Sequence, residues 1–483
     1  VTAVPLAELV IAAAARTPAA PAVHCGPVTV SYRELDDMAR GYTAALVELG
    51  VAPGDRVLIW AEKSVEVIAV MQAALRIGAI YVPLAPANPA ARVELIADSC
   101  SATLLVTDAA RASRISSPRT RSVEFAALRT NAPAAECHRP DLDDPAYILF
   151  TSGSTGAPKG VCLSHRNALA FVEWAVAATG LVAADRLANH APFNFDLSVF
   201  DLYGAFRTGA AVDLITSDQA YAADVLVEFL CDRAITVWYS VPSALQLMMR
   251  YGALLHRAEP QLLRTCVFAG EPFPIADLLS LRTAWPNVRM FNWYGPTETN
   301  VCASYEVTAR DLTRERAVPI GVAASRAQLT LDPADEGEIV VDGPTVMLGY
   351  WGLPPHRGPY RTGDLARNND AGQLEYIGRR DAMVKVRGHR LELGDVESVL
   401  LAHPAVAAVA ATVLGTGLDA RLHAVVVPHD SDAPPTLLAL KAHCAAQLPT
   451  YLLIDSLSLV DELPRTANGK LDRTELAAAQ GLP

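Results

Sequence analysis

The sequence predicts an α/β fold in two parts: a large N-terminal domain over residues 1–380 and a small α+β domain over residues 381–483. Three observations support this. Short apolar runs alternate with helical patterns through most of the chain, the signature of a largely parallel sheet covered by helices. The style changes near residue 370, where charge and glycine replace long apolar helices. The chain also has 483 residues, too many for one ordinary core.

Residues 31–50, SYRELDDMARGYTAALVELG, mark the first helix clearly. Ser31 and Glu34 make an S-x-x-E capping box. Leu35, Met38, Tyr42, Leu46 and Leu49 recur at helical spacing, and Gly50 can end the helix in a left-handed conformation. DRVLIW then reads as a strand, SVEVIAVMQAALRIG as a helix and AIYVPL as a strand. SATLLVT, AAVDLIT, FLCDRAITVWYS and LRTCVFAG continue the alternation as further strand candidates. Ligands are expected at the loops that follow such strands. Beyond residue 370, GQLEYIGRRDAMVKVRGHRLE carries no long helix. A helix begins near Gly394, AAVAATVLG and RLHAVVVPH read as strands, and LLALKAHCAAQLP as another helix. Such a unit of about 100 residues suffices for a domain, with Asp381 as the candidate boundary.

Composition narrows the function classes. A net charge of −12 argues against a general nucleic-acid backbone binder. The apolar stretch LAELVIAAAARTPAAP is broken by a glutamate and has no positive segment before it, so it does not read as a signal peptide. No run reaches the roughly 20 apolar residues that span a bilayer. Eight cysteines are scattered without a CxxC pair, which suits core thiols and a cytoplasmic setting.

The chemistry concentrates in four loops. FTSGSTGAPKG, residues 150–160, follows the apolar run AYIL. It matches neither G-x-x-x-x-G-K-[ST] nor G-x-G-x-x-G. Its glycines still let backbone N–H groups turn towards a phosphate. Thr151, Ser152, Ser154 and Thr155 add hydroxyl donors, and Lys159 adds a positive charge. In FNWYGPTETN, residues 291–300, Tyr294 can stack on a base, Thr297 can donate to a phosphate and Glu298 can hold Mg²⁺. YRTGDLA carries Asp364, suited to accept from ribose hydroxyls. LPRTANGKLDR puts Lys470 on a glycine-containing turn. Each alone is weak; together they imply a nucleotide site assembled from distant loops.

In family order, these runs resemble the adenylate-forming (ANL) enzymes, most closely the amino-acid-activating adenylation enzymes of nonribosomal peptide synthesis. SYREL, GAIYVPLAPANPAAR, LFTSGSTGAPKGV, NFDLSVFD, NWYGPTET, GEIVVDGPTVMLGY, YRTGDL, GRRDAMVKVRGHRLELGDVE, LPTYL and LPRTANGK carry the resemblance over nearly the whole chain. It implies an N-terminal domain of the adenylate-forming type and a small mobile C-terminal domain turning about Asp381. It implies two half-reactions with ATP and Mg²⁺: an amino acid becomes aminoacyl-AMP, and the acyl group then passes to the phosphopantetheine thiol of a carrier protein. By the same resemblance, Asn292 and Tyr294 sit at adenine. Asp364 and Arg379 hold the ribose, with Tyr376 nearby. Thr151, Ser152, Ser154, Thr155 and Lys159 line the pyrophosphate path. Thr297 touches the α-phosphate, Glu298 binds Mg²⁺, and Lys470 bridges carboxylate and phosphate. A carboxylate is ionised at pH 7 and needs positioning and charge cancellation rather than a base. His165 and His190 are therefore read as structural.

The resemblance also gives a substrate pocket. Asp196, in NFDLSVFD, matches the position that binds the α-ammonium group. Leu197, Phe200, Tyr239, Val267 and Ala269 follow, then Trp293, Val301, Cys302 and Lys470. The lining is apolar apart from Tyr239 and the two charged anchors, so the side chain bound there should be apolar. The set resembles that of freestanding prolyl-activating enzymes but has tryptophan where they tend to have leucine. At the family's pocket-floor position the Trp293 indole should fill volume with Phe200 and Tyr239, so L-alanine is the expected substrate, with L-proline the alternative, then glycine, serine or a small nonprotein amino acid. If it points away, it says nothing about size. An acyl- or aryl-CoA ligase is the rival enzyme class, and a binding-only protein the rival outside catalysis. Only 13 residues follow Lys470, which suggests a freestanding enzyme with a separate carrier protein.

Overall fold

A computed structural model describes residues 4–117, 121–128, 138–151, 158–257, 262–380, 383–430, 432–464 and 476. The chain divides into two compact units. The first comprises residues 1–86, 94–150 and 160–380; the second comprises 381–483 with the short segments 87–93 and 151–159.

Among the described residues, the first unit is built on three sheets. The largest has nine strands, ordered Val322–Ala323, Ala303–Val307, Arg289–Tyr294, Thr265–Ala269, Val237–Ser240, Arg186–Asn189, Ala211–Leu214, Pro21–Cys25, Val28–Ser31. The six strands from Arg289–Tyr294 to Pro21–Cys25 run parallel. The other three are antiparallel additions at the two edges. A seven-stranded sheet centres on Ile80–Leu84 and Arg56–Trp60, paired in parallel. A four-stranded antiparallel sheet joins Gln328–Asp332, Glu336–Asp342, Tyr360–Asn368 and Leu374–Arg379.

The helix signals hold. Ser31 caps Tyr32–Glu48, with the reciprocal Glu34 bonds of the capping box present. Gly50 follows at φ +87°. Ser64 caps Val65–Ile77, which ends on left-handed Gly78. One segment differs from expectation. FLCDRAITVWYS is not a single strand: its first four residues finish the helix Ala223–Asp232, and only Val237–Ser240 enters the sheet. A short apolar run cannot separate a buried strand from a helix end, and here the turn at Arg233 and positive-φ Ala234 divides them.

The large sheet buries both faces. Val237–Ser240, Thr265–Ala269 and Arg289–Tyr294 lie in register, Tyr239 beside Val267 and Val267 beside Phe291. Alternation sends Tyr239, Val267, Ala269, Phe291 and Trp293 to one face. These join the main core with Phe171 and Phe200. Trp238, Cys266, Phe268 and Met290 face the other way, into a separate core with Leu226, Leu230 and Leu245.

The segment after Arg186–Asn189 is unusual. A three-residue helix, Leu197–Val199, widens into a π-helical turn at Phe200–Gly204 and tightens again at Ala205–Thr208. Gly204 lies against the Phe200 ring: an added Cβ would sit 3.0 Å from it.

Taken by itself, the second unit contains the hairpin Met383–Val386/His389–Glu392 and a sheet of Val406–Leu414, Arg421–Pro428 and Ser456–Leu459. The helices Leu393–Leu401 and Leu437–Ala445 supply Val396, Leu400, Leu440 and Cys444 to a core shared with Ala411, Leu422 and Val426. No helix among the described residues is long and apolar enough to cross a membrane.

Candidate active site

Two clusters of the expected site residues lie in the first unit. The first gathers around Asp364. This carboxylate is 1% exposed. The Tyr294 hydroxyl donates to its Oδ2 at 2.6 Å, and Arg379 donates to its Oδ1 at 2.7 Å. Asp364 and Arg379 are register partners on adjacent strands, so the pair is set by the sheet itself. Each oxygen thus holds one described partner and keeps a second lone pair. Burial, then the charge of Asp364, raises the Tyr294 phenol far above its ordinary pKa, so it stays a donor. Tyr376 lies with its ring centroid 6.5 Å from that of Tyr294. Asn292 donates from its amide to the Pro319 carbonyl at 2.9 Å.

The turn after Tyr294 closes tightly. A Cβ at Gly295 would fall 1.6 Å from the Asn300 carbonyl oxygen, so only glycine fits. This turn carries half-buried Thr297 and fully buried Glu298. Tyr350 donates its hydroxyl to Glu298 Oε1 at 2.8 Å, and the Met347 N–H donates to the Glu298 carbonyl at 2.8 Å. Tyr350 ends the run GEIVVDGPTVMLGY; its position there was visible in the sequence, but its partner was not.

The second group is the set of residues expected to line an amino-acid pocket. Leu197, Phe200, Tyr239, Val267, Ala269, Trp293 and Val301 belong to one buried cluster. Asp196 is half-buried and precedes Leu197–Val199. Burial foremost, then the charges of Asp196 and Asp201, pushes the Tyr239 phenol well above its usual range. Cys302 is placed differently: it packs with Tyr294, Ala303 and Ile339. Burial raises its thiol to about 12, so it is a neutral apolar neighbour of the nucleotide cluster.

Trp293 is enclosed by rings. Its centroid lies 5.0 Å from that of Trp174, 5.2 Å from Tyr239, 5.4 Å from Phe200 and 6.0 Å from Phe171. Phe171 and Trp174 come from the helix His165–Thr179. The indole is thus wedged between Phe171 and Trp174 of this helix and the expected pocket residues Phe200 and Tyr239.

The flanking histidines have structural partners. His165 is buried and its Nδ1 accepts the Leu6 N–H at 3.2 Å, which fixes the neutral ring; burial lowers its pKa to about 4. The ring of His190 lies 6.0 Å from that of Trp238, and its Nε2 is 3.3 Å from the Ala220 carbonyl. Thr151 and Lys159 end and begin strands on either side of the glycine-rich loop. Ser152, Ser154, Thr155, Asp381 and Lys470 lie outside the described residues. Among the described residues, no three His, Cys, Asp or Glu side chains gather to hold a metal.

Residues 10–351 match the model of the AMP-binding enzymes, and residues 395–470 match that of the AMP-binding enzyme C-terminal domain. The chain belongs to this family. Its fold is the two-domain adenylate-forming architecture, a large α/β domain and a smaller C-terminal one. Among curated relatives, an L-proline--[L-prolyl-carrier protein] ligase of Pseudomonas fluorescens is 46% identical over 98% of this chain and 98% of its own length. A ligase of the same name from Streptomyces coelicolor is 36% identical over 93% and 92%. A double mutant of o-succinylbenzoate CoA synthetase from Bacillus subtilis shares the fold, with a TM-score of 0.87 at 23% identity over 98% of both chains. Within the AMP-binding enzymes, the chain is an adenylation enzyme of the nonribosomal-peptide type. It is an ATP-dependent ligase that joins a small substrate to a carrier protein.

The expectation of L-alanine is overturned. Both prolyl-named relatives align over nearly the full chain, and alanine had rested on Trp293 as a size limit.

Proposed function

We propose that this AMP-binding enzyme activates L-proline with ATP and Mg²⁺ and passes the prolyl group to the phosphopantetheine thiol of a carrier protein. The observation that carries the reading is the 46% identity to the Pseudomonas prolyl ligase along 98% of both chains. The apolar lining of Tyr239, Val267, Ala269 and Val301, with Asp196 beside it, suits a compact hydrocarbon ring bearing a charged nitrogen. In the first step a proline carboxylate oxygen bonds to the α-phosphorus, the bond to the bridging oxygen breaks, and pyrophosphate leaves. In the second, the thiol sulfur bonds to the prolyl carbonyl, AMP leaves, and the thiol gives up its proton.

Asp196 pairs with the prolyl ammonium. Asp364, held by Tyr294 and Arg379, accepts from the ribose hydroxyls through its remaining lone pairs. Asn292 and Tyr294 border the adenine. Thr151, Ser152, Ser154, Thr155 and Lys159 receive the β- and γ-phosphates, Thr297 the α-phosphate, and Lys470 spans carboxylate and phosphate. Glu298 suits Mg²⁺: it is a buried oxygen donor oriented by Tyr350, and Mg²⁺ is commonly held by one or two carboxylates plus substrate phosphates. When bound, the ion neutralises phosphate charge. The two units would reorient about Asp381 between steps. The cytoplasm is the proposed setting, since the described cysteines are free thiols.

ATP–pyrophosphate exchange against a panel of amino acids and aryl acids tests this. Proline should give the highest kcat/KM. A preference for alanine, glycine or an aryl acid would refute it.

A further inference from the structure

Lys63 is a buried lysine, 6% exposed, that the nucleotide chemistry leaves without a use, and its surroundings are specific. It precedes Ser64, the cap of the helix Val65–Ile77. A cation at a helix N-terminus works against the helix dipole, and a buried one loses its hydration as well. The protein compensates with a dense set of acceptors. Lys63 Nζ donates to the Asn189 carbonyl at 2.8 Å and to Asn189 Oδ1 at 3.1 Å. It also donates to the carbonyls of His190 at 3.1 Å and Ala191 at 3.2 Å. The ammonium lies 5.9 Å from the centroid of the Phe193 ring. The Asn189 amide then donates to Asp201 Oδ2 at 3.1 Å. Asp201 is 0% exposed, and its Oδ1 has no hydrogen-bond partner among the described residues.

These contacts fall on one stretch of chain. Residues 189–191 leave the end of the strand Arg186–Asn189; Asp201 sits in the π-helical turn. Asp196 lies between them. Lys63 grips the entry of this stretch directly and its exit through Asn189.

We infer that Lys63, acting through Asn189 and Asp201, is a positioning residue for the amino-acid half of the site, holding the 189–201 segment so that Asp196 and Phe200 meet the substrate. The inference rests on Asp196 being the ammonium anchor. Burial lowers the Lys63 pKa to about 7 and raises the Asp201 carboxyl, against the mutual attraction of the two, so the pair is held by geometry at an electrostatic cost. A displacement of about 1 Å in a binding group can cost on the order of 100-fold in activity.

The test uses the full-length enzyme in pyrophosphate exchange with proline. Lys63→Met keeps the stem and removes every donor. It should raise the proline KM by about tenfold or more, with the ATP KM changing less than about twofold. Asp201→Asn keeps volume, removes the acid, and should shift the proline KM in the same direction by a smaller factor; it serves if Lys63→Met fails to fold. A folded variant with an unchanged proline KM overturns the inference. So does a parallel rise in both KM values with a fall in melting temperature, which marks a merely structural lysine. Asp196→Ala separates the two readings. If it leaves the proline KM unchanged, the anchor assignment fails. If it raises the KM while Lys63→Met does not, only the role of Lys63 fails.

Discussion

His165 should make the first unit sensitive to mild acid, and the sign follows from its hydrogen bond. Nδ1 accepts the Leu6 N–H, so protonation of that nitrogen breaks the contact that ties the helix Leu6–Arg16 to the start of His165–Thr179. Burial holds the folded pKa at about 4 against 6.5 for the free side chain; the charge of Asp144 opposes this only in part. Between those values the unfolded chain binds a proton that the folded chain does not. Stability is therefore complete above about pH 6.5, falls as the pH drops, and has lost the whole contribution near pH 4. A displacement of that size corresponds to about 3 kcal/mol. His165→Asn keeps an acceptor near the Nδ1 position and cannot titrate. Urea unfolding followed by tryptophan fluorescence, from pH 7.5 down to 4.5, should show the parent losing about 2.5 kcal/mol more than the variant. Comparing the two proteins cancels every other titrating group. If both lose stability in parallel, neutral His165 is not what the fold requires.

Other perturbations address the site. Arg379→Met should leave the buried Asp364 carboxylate with the Tyr294 bond alone among the described residues, raise the ATP KM and destabilise the protein by about 3 kcal/mol, the lower end for a broken buried pair because that bond remains; an unchanged ATP KM would remove Arg379 from the proposed ribose site. Trp293→Ala should cost about 3–5 kcal/mol in urea unfolding, since the indole packs against Phe171, Trp174, Phe200 and Tyr239; a loss below about 1 kcal/mol would show that this ring cluster does not hold the sheet to the helix. Gly295→Ala should abolish pyrophosphate exchange and lower the melting temperature, because its methyl meets the Asn300 carbonyl; near-parental activity would contradict the close turn.

Local signals in the sequence were strong where the physics is local. Ser31, Glu34 and Gly50 bracket their helix because caps satisfy orphan N–H and C=O groups within a few residues. The helix end inside FLCDRAITVWYS escaped because an apolar run of that length fits either periodicity. The residues proposed to hold the nucleotide stood out by type, but the contact between Tyr294 and Asp364 did not: they lie 70 positions apart, and no spacing rule joins them. Lys63 and Asn189 are 126 apart. The alanine expectation, which the prolyl-named relatives overturn, read Trp293 by its bulk alone, whereas the four rings around it could be placed only in three dimensions.

The wide turn at Phe200–Gly204 bears on attempts to exchange substrate preference between relatives. One additional residue in a helical turn rotates everything beyond it by about 100° relative to a regular helix. Leu197 and Phe200 therefore stand rotated relative to Ala205–Thr208 from where an unbroken α-helix would put them. Grafting pocket side chains one at a time onto a backbone without this bulge would aim them at the wrong wall. The transferable unit is the whole stretch from Asp196 through Gly204, including the glycine that leaves room for the Phe200 ring.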